Sequence, residues 1–255
     1  MKMFTKIAST ALAVVMAATC LAGCGTGTTS SSGNGETGVI KIGGIGPLTG
    51  AAAIYGQAVK NGAEIALEEI NAKGDLKFDL KFEDDENDAE KAVNAYNNLK
   101  DWGMQVSMGT VTTQPCIAVS SELNSDGIFA LTPSASAPDV VKNKEFMFQM
   151  CFTDPNQGVA SAKYIKEQNI GEKIAVIYNN SDVYSTGIYQ KFAAEAQAEG
   201  LDIVCVKTFT DDSANDFTSQ LNEIKAAGAD LIYLPIYYTP ASLILTQARK
   251  MQYEP

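Results

Sequence analysis

The 255-residue chain has no histidine and only one arginine, Arg249. Without histidine it lacks the side chain that most often serves as a general base near neutral pH, and the commonest zinc ligand. No Gly-x-Ser-x-Gly elbow, no phosphate loop of the Gly-Lys-Ser type and no metal-ligand spacing occurs in it. These gaps argue against an enzyme, a resident metal and a bound cofactor. The acidic run Asp84-Asp85-Glu86 reads as solvated surface rather than a catalytic pair. Net charge is −11, and the 19 basic residues are scattered. Nucleic-acid binding needs clustered cations, so no nucleic-acid partner is expected. The same scatter speaks against a basic membrane-facing patch. Beyond the N-terminal region only Cys116, Cys151 and Cys205 remain, far apart. They are expected to be unpaired and to act as small buried hydrophobes.

The N-terminus is richer. Lys2 and Lys6 precede an apolar run from Ile7 to Ala18, too short to cross a bilayer as a stable helix. The run leads to Leu21-Ala22-Gly23-Cys24. Residues 1–23 have the layout of an export signal. The small pair followed at once by cysteine resembles the lipobox of bacterial lipoproteins. That resemblance implies diacylation of Cys24 as the first mature residue, and a location on the extracytoplasmic face of the cell membrane. Two acyl chains anchor stably where one does not. The alternative is an ordinary secreted protein with a chance cysteine. Residues 24–38 are mostly Gly, Ser, Thr and Asn, the composition of a flexible tether.

From Val39 onward short apolar strands alternate with amphipathic helices. Strands are expected at 39–45, 76–82, 104–108 and 128–131, then at 174–178, 201–206 and 231–234. Helices are expected at 55–71, from Asp88, from about Gln114, and at 184–200, 217–227 and 241–251. Val59, Ala63, Ala66, Leu67 and Ile70 would form the buried face of the first helix. Such alternation predicts an α/β fold in which parallel sheets are flanked by helices. The series restarts after a connection near Glu145 to Pro155. Two lobes follow, residues 39–150 and 151–255, with a ligand cleft at the carboxyl ends of the strands. The chain stops directly after a helix, at Tyr253-Glu254-Pro255, and each lobe has few strands. The expectation is therefore of a fragment whose second lobe is incomplete.

Three loops follow strands and are rich in hydroxyls, glycine and small residues: 46–50, 109–115 and 132–138. None carries Lys or Arg. A hydroxyl loop at a helix N-terminus can hold a carboxylate without a cation, through backbone N–H groups and the helix dipole. The same residues also make ordinary N-caps and turns. Both readings stay open from spacing alone.

Several segments together resemble the leucine/isoleucine/valine-binding protein family. They are Ile40-Lys41-Ile42-Gly43, Gly46-Pro47-Leu48-Thr49-Gly50, Tyr55-Gly56, Thr113-Gln114-Pro115, Pro133 to Pro138, and Asp154-Pro155-Asn156-Gln157-Gly158. The resemblance implies a type I periplasmic-binding fold with a hinge between two lobes. It also implies capture of amino acids, branched-chain ones first, for the permease subunits of an ABC importer. A sensor that feeds a receptor, or an importer for amides, is the alternative it leaves. By position, Thr110 and Ser136 would hold the ligand carboxylate. The Ser134 carbonyl and the Ser136 hydroxyl would accept from its ammonium. Tyr55 would flank the ligand from one lobe, and Tyr184 and Tyr237 (or Tyr238) would close from the other. The tyrosines could equally be packing residues. The family's acidic partner for the ammonium would lie beyond Pro255, so weak amino-acid binding, or none, is expected of the chain. The prototype's disulfide would fall at Asn87 and Gly109.

Overall fold

The computed structural model describes residues 38–255. Cys24, the expected signal and almost all of the expected tether lie outside the described residues.

Eight strands and seven α-helices follow in order among the described residues. β1 (Ile40–Gly46), β2 (Phe78–Asp84), β3 (Val106–Thr110), β4 (Ala130–Thr132) and β5 (Met147–Gln149) form one sheet in the order β2-β1-β3-β4-β5. β6 (Lys173–Asn179), β7 (Asp202–Phe209) and β8 (Leu231–Tyr233) form another in the order β7-β6-β8. Every pairing is parallel. The expected α/β architecture of helix-flanked parallel sheets is therefore the observed one.

The connecting helices are α1 (Ala53–Lys73), α2 (Ala89–Trp102), α3 (Thr113–Ser125), α4 (Asp154–Gln168), α5 (Val183–Ala198), α6 (Thr218–Ala226) and α7 (Tyr238–Lys250). Their ends follow local chemistry. Asp88 caps α2 by accepting from Lys91 N, and Gly103 ends it at φ +87°, where glycine carries no side-chain penalty. Asp182 caps α5 through the N–H groups of Tyr184 and Ser185.

The first sheet packs Ile45, Ala130 and Met147 against Tyr96 and Leu99 of α2 and Val119 and Leu123 of α3. In the second, β6 is central and buried on both faces. Ala175 and Ile177 meet Phe217, Leu221, Ile224 and Ile244. Ile174 and Val176 meet Ala162, Phe192 and Ala196. That explains the unbroken apolar run Ile174-Ala175-Val176-Ile177, since a central parallel strand has no polar face.

Four expectations need correction. β5 and α4 occupy what looked like a plain connection. α4 hides in the sequence because it packs through small residues. A side chain at Gly158 would come within 2.5 Å of the Ile188 carbonyl oxygen, so only glycine lets α4 lie this close to α5. The apolar side of α1 is only half covered: Val59, Ala63 and Leu67 are partly buried, while Ala66 and Ile70 are exposed. Of the three cysteines, only Cys116 is fully buried. The acidic run is not solvated surface either, because Asp85 is completely buried. Asp84 clasps the first loop by accepting from Leu48 N at 2.8 Å and from Thr49 Oγ1 at 2.6 Å.

Candidate functional site

The loops after β1, β3 and β4 meet the N-termini of α4, α5 and α7 at the carboxyl ends of both sheets. Three hydrogen bonds join the two sides there. Asp154 N–H donates to the Ser136 carbonyl at 3.0 Å. Tyr238 N–H donates to the Tyr55 hydroxyl at 2.9 Å, and Thr239 Oγ1 donates to the Ala51 carbonyl at 2.7 Å.

A cavity of about 400 Å³ lies between them. Five of the six expected ligand contacts line it: Tyr55, Ser134, Ser136, Tyr184 and Tyr237. The rings of Tyr184 and Tyr237 stack, with centroids 4.9 Å apart and planes within 10°. Tyr55 leans on Tyr237 at 5.7 Å with a 53° tilt. Aromatic pairs at such separations are attractive beyond the area they bury.

The backbone beneath fixes this cluster. Ser185 Oγ donates to the Pro235 carbonyl at 2.6 Å and accepts from Asn179 N–H at 2.9 Å. One buried hydroxyl thus ties the end of β6 to the start of α5 and to the loop before Tyr237. On the other side, a side chain at Gly56 would fall 2.0 Å from the Pro47 carbonyl oxygen, so α1 starts hard against the first loop and Tyr55 is set with it.

Thr110 does not line this cavity. It ends β3 and is fully buried. Its hydroxyl donates to the Thr112 carbonyl at 3.1 Å. The residues that reach the cavity from this loop are Val111, Thr112 and Thr113. Thr113 Oγ1 accepts from Ser136 N–H at 3.1 Å, and Ser134 Oγ donates to the Val111 carbonyl at 2.6 Å, which laces the two hydroxyl loops together. Thr112 is the N-cap of α3 but makes no side-chain capping bond, and its buried Oγ1 has no partner. Sequence reasoning missed Thr112. The signal was there: it stands directly before the helix, the position whose side chain faces the free N–H groups.

Asp154, the first residue of α4, was quoted only as part of a motif. It is fully buried, and neither carboxylate oxygen has a hydrogen-bond partner. Burial pushes it up to about 6, and the Ser136 hydroxyl, near enough to act on the carboxylate but outside hydrogen-bond geometry, only partly offsets the rise. Asp182 also rises to about 6, through burial first, against the two N–H groups it caps. Burial likewise raises Tyr184 to about 12 and Tyr237 well above the ordinary phenol range. The negative charges of Asp182 and Asp154 add to the rise of Tyr237, and the backbone of Thr113 at its hydroxyl works against it. Both phenols are therefore neutral hydrogen-bonding walls at physiological pH.

A second cavity of about 440 Å³ adjoins the other side of Asp154, with Asp139, Asp182 and Lys191 among its walls. Among the described residues no group of three or more acidic or sulfur ligands is placed to hold a metal ion.

The arrangement suits a small molecule with one anionic end, one cationic end and an apolar body. A free helix N-terminus with a hydroxyl favours the first, a buried carboxylate the second, and aromatic walls the third.

The profile of a family described as periplasmic binding protein matches residues 39–255. The Leu/Ile/Val-binding protein homolog 3 of Brucella melitensis is 34% identical over 212 residues, covering 82% of this chain and 57% of the relative. An amino acid binding protein of Pseudomonas aeruginosa is 31% identical over 216 residues, covering 83% and 57%. Among solved structures, the branched-chain amino acid transporter substrate binding protein LivJ of Streptococcus pneumoniae, in complex with isoleucine, superposes with a TM-score of 0.80 at 28% identity. That match covers 86% of this chain and 63% of LivJ. The chain thus spans a little over half the length of the curated relatives it matches.

Proposed function

The chain belongs to the periplasmic binding protein family, and from that premise we propose that it is the solute-binding component of an ABC importer that takes up amino acids with apolar side chains. The observation that carries this reading is the tyrosine-walled cavity set against the free N-terminus of α3. The ligand carboxylate docks on the Thr112 hydroxyl and the Gln114 N–H at the start of α3, where the Thr113 N–H meets the Tyr237 hydroxyl and Pro115 has none, in place of the Thr110 contact that the resemblance implied. The Ser134 carbonyl and the Ser136 hydroxyl accept from the ammonium. Tyr55, Tyr184 and Tyr237 cover the side chain. Residues 39–150 and 151–255 act as two lobes that close on the ligand, a motion familiar in periplasmic binding proteins.

The sequence before Val39 extends the proposal. Cys24 carries the lipid, residues 24–38 form the tether, and the protein works at the extracytoplasmic face of the membrane beside its permease. No catalytic step is assigned to it. Isothermal titration against the standard amino acids tests the reading. Saturable binding of leucine, isoleucine or valine supports it, and heat uptake or release with none of the amino acids refutes it. Metabolic labelling with a palmitate analogue tests the anchor, which a Cys24→Ser variant should abolish.

A further inference from the structure

A fully buried carboxylate with both oxygens unpartnered is rare, because removing such a group from water is costly unless something replaces the lost hydrogen bonds. Asp154 is in that state. Its place is not accidental to the cavity. Its own N–H is held by the Ser136 carbonyl at 3.0 Å, so the two residues are locked side by side across the junction of the two sheets. Ser136 lines the tyrosine-walled cavity, and Asp154 stands behind it. On its far side Oδ2 would be 3.5 Å from a side chain at Gly187, which has none, so α5 leaves room there and offers no donor. Of the charged walls of the adjoining second cavity, Asp139 is paired with Lys142 at 3.7 Å, which leaves Asp182 and Asp154 itself against the single ammonium of Lys191. A cation arriving at Ser136 therefore enters a field of net negative sign.

We propose that Asp154 supplies the counter-charge for the ligand's ammonium group, acting through Ser136, and so makes the cleft select amino acids over the corresponding carboxylic acids. As the Ser136 hydroxyl accepts from the ammonium, its own proton turns toward Asp154, with which it makes no hydrogen bond otherwise. The inference rests on the solute-binding reading above and deepens it. It places a positioning carboxylate for the ammonium at the first residue of α4.

The test is calorimetric titration of the full chain near neutral pH with leucine and with 4-methylpentanoate, which is leucine without its ammonium group. The unaltered protein should bind leucine far more tightly than 4-methylpentanoate. Asp154→Asn keeps size and backbone hydrogen bond but removes the charge. It should weaken leucine on the order of a hundredfold, as loss of one partner of a buried ion pair does. Binding of 4-methylpentanoate should be unchanged or tighter, which also shows that the variant is folded. Equal losses for both ligands would mean that Asp154 only supports the fold, and an intact preference for leucine would mean that Lys191 or a bound proton already neutralises it. Either overturns the proposal. If the unaltered protein binds both ligands equally, the counter-charge is refuted while the solute-binding reading stands. If it binds neither, the solute-binding reading itself has failed and this inference falls with it.

Discussion

The charge on Asp154 should work against folding, and that can be measured directly. Its carboxyl titrates near 6 in the folded chain against 3.8 for the unperturbed group, because burial disfavours the ionised form. Above about pH 6 the group is ionised in both folded and unfolded states, and the folded state bears the full penalty. Between the two values the folded state binds the proton and the unfolded state does not, so stability rises as pH falls. Below the lower value both are protonated and the penalty is gone. A gap of about two units corresponds to roughly 3 kcal/mol at about 1.4 kcal/mol per unit. Asp154→Asn removes this titration but buries an amide with needs of its own, at about 1–3 kcal/mol. The absolute difference between the two proteins is therefore uninformative, and its change with pH is the quantity to read. Urea denaturation of both proteins across pH 4.5 to 7.5 should show the unaltered chain gaining on the variant by about 2 kcal/mol as pH falls, the rest of the roughly 3 kcal/mol lying below pH 4.5, and part of the gain coming through Asp182, which feels the Asp154 charge. A difference that stays flat would show that Asp154 is not desolvated in the fold. A difference of opposite slope would show it ionised and paired.

Other outcomes follow from the same contacts. The unaltered chain should be most stable in mildly acidic solution, because Asp85, Asp154 and Asp182 all titrate near 6 and lose their penalty as pH falls through that value. Below about pH 4 stability should drop again as Asp84, held below the ordinary range by its bonds from Thr49, Glu86 and Leu48 despite some desolvation, is protonated; thermal melts across pH check both limbs. Ser185→Ala strands the Asn179 N–H and the Pro235 carbonyl and should destabilise by about 1–3 kcal/mol in urea denaturation. Gly56→Ala drives a methyl into the Pro47 carbonyl and should cost about 3 kcal/mol by the same assay. Thr112→Val should weaken leucine about tenfold in calorimetry by removing the free hydroxyl at the α3 N-terminus, whereas Thr110→Ala should leave affinity within about twofold.

How far the sequence alone led depended on which physical signal each element carried. Strands such as β6 announce themselves because both faces are buried and every residue is apolar. Helix α2 is equally plain, with an Asp88 cap, an apolar stripe and a left-handed glycine at its end. α4 was missed because small residues, not large apolar ones, make its contact with α5, and hydrophobic periodicity is blind to them. β5 is three residues long, too short to show an alternation. At the site, the tyrosines and serines singled out by position in the chain share one cavity wall, and Thr110 does not reach it. Thr110 and Thr112 differ by two residues, and only the point at which β3 ends decides which hydroxyl is spent within the loop and which stands free. The burial of Asp85 and Asp154 was out of reach for the same reason. Charge in a sequence suggests solvent, and only tertiary packing reveals an exception.

The exceptions are not spread evenly. Among the described residues the buried side-chain oxygens without a partner are Asp85 Oδ2, Thr112 Oγ1 and both carboxylate oxygens of Asp154. None lies in the middle of either sheet's apolar core, where a packing fault would be as likely to fall. Three of the four belong to residues at the junction of the two sheets: Thr112 in the wall of the tyrosine-lined cavity, and Asp154 behind Ser136 of that wall. They are also chemically opposed: Thr112 offers a hydroxyl beside the Gln114 N–H, and Asp154 offers only acceptors. The lacing of Thr113 to Ser136 keeps the two ends apart. A cleft that needed only to be filled could be satisfied by apolar side chains at lower cost. One that holds a donor end and an acceptor end unsatisfied, with neutral phenols between them, is matched by a ligand that brings a carboxylate and an ammonium together. On the proposal above, such a ligand would meet the Thr112 hydroxyl directly and the Asp154 charge through Ser136. The stability given up at Thr112 and Asp154 in the empty chain is thus the part of the binding free energy that an apolar solute of the same size could not recover.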